Sequence, residues 1–191
     1  MKQASRVLDF WFGTPGAADH GKPRKSWFEK NDAFDVEIRE RFGDLLAQAA
    51  SGRLDAWQSR PRGALALIVL LDQFPRNMHR GKPAAFACDA RALAVARHAV
   101  ARGFDRGLLP VERWFVYLPF EHAENLAMQR ESLRLFAGLK SFPDSAGILD
   151  YPKRHFDVIA RFGRFPHRNE ILGRPSTAEE TAFLKLPGSR F

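Results

Sequence analysis

The chain has 191 residues, 45% hydrophobic and 27% charged, a balance that describes a folded domain and excludes a disordered tail or a fibre. Its single cysteine, Cys88, excludes an internal disulfide framework and a multi-cysteine zinc site, and no apolar run exceeds the 8 residues from Ala64 to Leu71, far short of the roughly 20 that span a bilayer. The net charge of +8 is concentrated: residues 73–82 contribute +3 and residues 151–174 contribute +4, so the rest of the chain is nearly neutral, unlike a uniform basic coat for nucleic acid.

The elements follow in chain order. Asp9 interrupts the apolar stretch that an export signal would need, and the expectation is a cytoplasmic protein that does not enter a membrane. Phe10, Trp11, Phe12, Trp27 and Phe28 lie in neutral segments and read as core. Gly13 to Arg24, with three glycines, two prolines and no period, reads as the mobile loop of the chain. Phe34, Ile38, Phe42, Leu45, Leu46 and Ala49 recur at helical spacing, with Asn31 and Asp32 as candidate N-caps and Gly52 as a stop. Ala64 to Phe74 is apolar nearly all round and predicts a buried helix that Pro75 ends. Asp89 is placed as the cap of a helix running to Gly103. Val111 to Leu118 follows Pro110, and Pro119 is read as the first residue of a long helix reaching about Leu139. Residues 152–163 form a further helix, and Ser176 with Glu179 spells a capping box for a last short one. No segment alternates with period two, so the reading is a single all-α domain over residues 1–191, with helices joined as antiparallel neighbours.

Three constellations carry chemistry. In the first, 71–81, Asp72 falls near the negative end of a helix, where a cation must compensate it, and Asp72, Arg76, Asn77 and His79 form a polar group. Local Asp to Arg pairing is the architectural reading; the functional one makes these residues a pocket lining. In the second, Glu121, His122 and Glu124 are candidates for general acid/base work, the alternative being that the two acids neutralise buried arginines. In the third, Arg161, Arg164, His167 and Arg168 surround a helix end and suit a phosphate or carboxylate, or cap its carbonyls. The tetrapeptide Phe74-Pro75-Arg76-Asn77 is echoed by Phe165-Pro166-His167-Arg168-Asn169 about 91 residues later.

Phosphate loops, the dinucleotide fingerprint and the serine-hydrolase elbow are absent from the sequence. Its six histidines include no pair at ligand spacing, so neither a metal nor a cofactor is expected. Cys88 beside Asp89 reads as a buried, inert thiol.

The stretches Val7 to Phe12, Leu71 to Asn77, Pro119 to Glu124 and Arg161 to Asn169 together resemble the bacterial domain-of-unknown-function 924 family. The resemblance implies an all-helical, tetratricopeptide-like superhelix and no known activity or catalytic residue. The 34-residue tetratricopeptide consensus is not legible, which argues against a peptide groove of the standard type. The functional expectation is a pocket of Arg, His and Glu that takes a small anionic ligand, with acid/base chemistry. The alternative is a helical scaffold for a protein or peptide partner; RNA binding ranks below both, because basic and aromatic residues are poorly interleaved.

Overall fold

A computed structural model describes residues 2–190 of the chain. Within them lie α-helices and short 3-10 turns, with no strand: α1 (Lys2–Phe12), α2 (Asp32–Ala50), α3 (Pro61–Ile68), α4 (Phe74–Met78), α5 (Asp89–Ala101), α6 (Pro110–Glu121), α7 (Leu126–Ala137), α8 (Tyr151–Phe162) and α9 (Ala178–Phe183). No helix among the described residues is long and apolar enough to cross a membrane.

The centre is α3. Every residue from Ala64 to Leu71 is fully buried, as an all-apolar helix requires, and α1, α5 and α6 pack around it. Gly63 lets the Asp55–Ser59 turn approach the start of α3, since a Cβ there would run into the Trp57 carbonyl oxygen. Buried Ala4, Val7, Leu8, Trp11 and Phe12 give α1 one apolar stripe. Trp11, Trp27 and Phe115 meet in edge and stacked contacts, and of the aromatics expected in the core Trp11, Phe12 and Trp27 are buried and Phe10 is partly buried, whereas Phe28 is exposed. The Gly13 to Arg24 segment is irregular; Arg24 donates to the Phe10 carbonyl and Gly21 N–H to that of Phe12.

Pro75 does not end the central helix. Val69–Gln73 forms a π turn in which the Phe74 N–H bonds to the Val69 carbonyl five residues back, and the chain then continues as α4 to Met78. The wider turn takes up the register that a proline ring would otherwise break by clashing with the carbonyl four residues before it. Asp72 thus lies inside the turn, fully buried.

Pro119 likewise lies within α6 and starts nothing. It sits in the last turn of the helix and forfeits one N–H there, while Asn125 supplies a better start for α7 by accepting from Ala127 N and Met128 N. Buried Gln129 ties the junction: its Nε2 donates to the carbonyls of Glu121 (2.6 Å) and Ala123 (2.8 Å), which α6 leaves open. Glu121 is therefore the last residue of a helix and not near the start of one.

Two caps fall one residue from their predicted places. Cys88 precedes α5, with Asp89 as its first residue, so the Asp89 side chain is directed elsewhere. The capping box of α9 is Thr177 with Glu180, whose hydroxyl and carboxylate each accept from the other's N–H. The caps at Asn31, Gly103 and Gly163 stand as predicted, with both glycines left-handed. A second, smaller apolar cluster of Val158, Ile159 and Phe165 sits under α8.

Candidate functional site

One cavity of about 370 Å³ opens between the end of α6 and the face of α8. Its apolar wall comprises Phe28, Trp114, Leu118, Phe136, Ile148 and Tyr151; its polar groups include Glu121, His122, Arg154, His155 and Arg190. The placement follows from helical spacing. Trp114, Leu118, Glu121 and His122 lie at i, i+4, i+7 and i+8 along α6, and Tyr151, Arg154 and His155 at i, i+3 and i+4 along α8.

The π turn brings Asp72 to His122: Oδ1 and Nδ1 are 2.8 Å apart. Burial alone would raise the Asp72 pKa, but the Arg76 charge and hydrogen bonds from His122 and Gln73 outweigh it and hold the carboxyl well below its usual range. An ionised carboxylate only accepts, so His122 Nδ1–H donates and Nε2 keeps its lone pair. Burial and the nearby Arg76 charge lower the His122 pKa despite Asp72, so the ring is neutral at pH 7. Its Nε2 has no hydrogen-bond partner among the described residues.

Glu121 behaves oppositely. It is 3% exposed, and burial, with the Asp72 charge second, pushes its pKa up to about 8. Its place at the negative end of α6 acts in the same direction. Its Oε1 lies 3.1 Å from His155 Nδ1, which is also 2.9 Å from the Tyr151 carbonyl. A carbonyl only accepts, so His155 Nδ1 carries the proton and points it at both oxygens. Burial drives the His155 pKa down to about 2; with Glu121 protonated, the contact is a neutral hydrogen bond and not an ion pair. The Glu121 proton then belongs on Oε2, which is buried with no hydrogen-bond partner among the described residues.

Behind the wall is an ionic network. Arg76 forms a two-pronged pair with Asp89 (2.8 and 3.0 Å) and donates to the Asp72 carbonyl. Arg168, 6% exposed, reaches the same Asp89 carboxylate at 3.2 Å and donates to the His122 carbonyl at 3.1 Å. The arginines of the two echoed Phe-Pro segments thus converge on one acid, and both lie over the Phe86 ring.

The structure gathers Asp72, Arg76, Glu121, His122 and Arg168 in one place. It puts the others elsewhere. Glu124 accepts from Phe165 N and from Arg174 at 2.6 and 2.9 Å, holding the 165–174 segment to the link between α6 and α7. Asn77 donates to Asp35, which Arg80 also pairs, and His79 ends α4 near Arg39 and Lys82. Arg161 pairs with Glu179 and Arg164 with Glu180. His167 lies against Phe165, and burial lowers its pKa to about 4. Sequence reasoning missed Asp89, placed only as a cap, and the wall residues Trp114 and Tyr151. Cys88 is buried, and burial raises its pKa, with Asp89 adding to the effect.

A search of curated proteins returned no match. A solved structure of a protein of unknown function from Agrobacterium tumefaciens is similar, with 38% identity, a TM-score of 0.84, and 96% of this chain and 97% of that one covered. The profile of a family described as "Bacterial protein of unknown function (DUF924)" matches residues 7–188, and with nearly its whole length matched the chain belongs to that family.

Proposed function

We propose that the protein binds a small organic anion in the cavity between α6 and α8 and acts on it by proton transfer, with Glu121 as acid and His122 as base. One observation carries this reading: two adjacent residues open on the same cavity with their proton affinities pushed in opposite directions, Glu121 up to about 8 and His122 down. At neutral pH the acid holds its proton and the base lacks one, the arrangement proton-transfer catalysis needs. Asp72 sets the His122 tautomer, and Arg76 and Arg168 hold Asp72, Asp89 and the His122 main chain in place. Among the described lining residues Glu121 is the one acid, and its raised pKa keeps it neutral at pH 7. Buried, inert Cys88 suits the reducing cytoplasm in which this reading places the protein.

The test is a thermal-shift screen of small carboxylates and phosphates on the wild type and on His122→Ala. A ligand at a hundred times its Kd adds about 2.7 kcal/mol, a shift of roughly 5 to 10 °C for a chain of this size. The reading expects such a shift in the wild type and its loss in the variant. No shift with any compound, or one that His122→Ala leaves intact, overturns it.

A further inference from the structure

The segment that follows α9 returns to the cavity mouth. Phe183 packs on Phe162 at the end of α8, with ring centroids 5.2 Å apart, and Gly188 reaches Arg154, about 12 Å back along α8 at roughly 1.5 Å per residue. Arg154 is engaged there. It donates to the Gly188 carbonyl at 2.9 Å while its guanidinium lies over the Tyr151 ring, 5.1 Å from the centroid. Tyr151, Arg154 and, just beyond Gly188, Arg190 all line the cavity. The segment is closed on itself: Leu186 N–H bonds to the Phe183 carbonyl, Ser189 N–H to that of Leu186, and the Ser189 hydroxyl to that of Leu184 at 3.2 Å.

Its two ends are held unequally. At the root, buried Glu180 accepts from Arg164 at 2.6 and 2.8 Å, and Phe183 sits against the cluster of Val158, Ile159 and Phe165. At the tip, the bond from Arg154 to Gly188 is exposed, and water can take its place. Gly188 also suits this contact as no other residue would. Its φ of +70° is left-handed, and a Cβ would lie 2.9 Å from the Arg154 guanidinium and displace it.

We propose that residues 184–190 form a strap at the cavity mouth, hinged at the end of α9 and latched by Arg154 on the Gly188 carbonyl, and that release of the latch governs entry to the cavity. Opening exchanges an exposed hydrogen bond for water and leaves α9 and its Glu180 to Arg164 pair in place, so it is a local event well short of unfolding. Buried Ser189 keeps the partner of its hydroxyl as the strap lifts, because Leu184 belongs to the same segment. The inference rests on the reading above only in taking the cavity as the site.

The experiment measures how fast the thiol of Leu118→Cys, on the cavity wall, reacts in the full chain with methyl methanethiosulfonate, a small uncharged reagent. Buried Cys88, which is not among the described lining residues, reports any wider opening in the same sample. Peptide mass spectrometry reads both thiols. Adding Arg154→Met or Gly188→Ala should speed the introduced thiol at least about tenfold and change the Cys88 rate by less than about twofold. Gly188→Ala keeps the arginine, so agreement between the two variants separates the latch from the bulk of the Arg154 side chain. An unchanged rate in either variant, or equal acceleration of both thiols, overturns the strap. Because no ligand is used, this outcome is independent of the anion and acid/base reading, which the thermal-shift screen decides.

Discussion

His122 Nδ1 lies 2.8 Å from Asp72 Oδ1, a contact between residues 50 apart in sequence that joins the end of α6 to a π turn in the buried central helix. The turn has a local cause in Pro75 and a consequence at the cavity, because it places a fully buried carboxylate where it can hold the His122 ring.

Asp72→Asn keeps the shape and removes the charge. The amide can present its NH₂ group to His122 as readily as its oxygen, so the ring loses its fixed tautomer and Arg76 loses a partner. We expect a stability loss of about 1 to 3 kcal/mol by urea unfolding. The His122 Nδ1–H resonance should also disappear or move; retention of both stability and resonance would show that Asp72 does not orient the ring.

Stability should pass through a maximum near pH 6 to 7. Glu121 has a folded pKa of about 8 against 4.5 unfolded, so its contribution is complete below 4.5 and lost as pH rises through 8. Each pH unit within that window costs about 1.4 kcal/mol. Glu121→Gln cannot ionise and should flatten this alkaline limb; an unchanged slope between pH 6.5 and 8 would contradict the raised pKa.

The acid limb belongs to the histidines. His155 and His167 have folded values of about 2 and 4, below 6.5 unfolded, so their contribution is complete above 6.5 and lost as pH falls. Between 6.5 and 4.5 the two together lose about 2.7 kcal/mol per unit, twice the opposing gain from Glu121. His155→Gln should remove about half of the histidine loss, and the Glu121 gain then cancels the remainder, so that stability is nearly flat between pH 5 and 6.5 when measured by unfolding.

Asp89 serves two arginines at once, so Asp89→Ala removes a carboxylate from both, leaving Arg76 with Asp72 and Arg168 with the His122 carbonyl alone. With Arg168 almost fully buried, we expect a loss of about 3 kcal/mol. Arg168→Met should cost less, and the double variant should cost less than the two single losses added, a coupling of more than 1 kcal/mol in a mutant cycle. Additive losses would show that the pair is not coupled.

Much of this was legible from residue order alone. The all-apolar run 64–71 gave the buried helix, and Asn31, Gly103 and Gly163 marked ends that the structure keeps. The positions 4, 7, 8, 11 and 12 carry the α1 stripe in plain helical spacing. Proline misled twice. Taking Pro119 as a helix start cut the stripe Trp114, Leu118, Glu121 and His122 in two and hid the cavity wall; taking Pro75 as a stop concealed the π turn. The convergence of Arg76 and Arg168 on Asp89 depends on tertiary packing, and only the echoed Phe-Pro segments hinted at it. The pKa of Glu121 follows from burial at a helix end, which no local pattern states.

The most direct measurement is the protonation of Glu121 in the free protein, followed by ¹³C NMR of its labelled side-chain carboxyl from pH 5 to 9, with Glu121→Gln assigning the signal. The acid/base account predicts a protonated carboxyl at pH 7 and a midpoint near 8. A midpoint near 4.5, the ordinary value for glutamic acid, would contradict it.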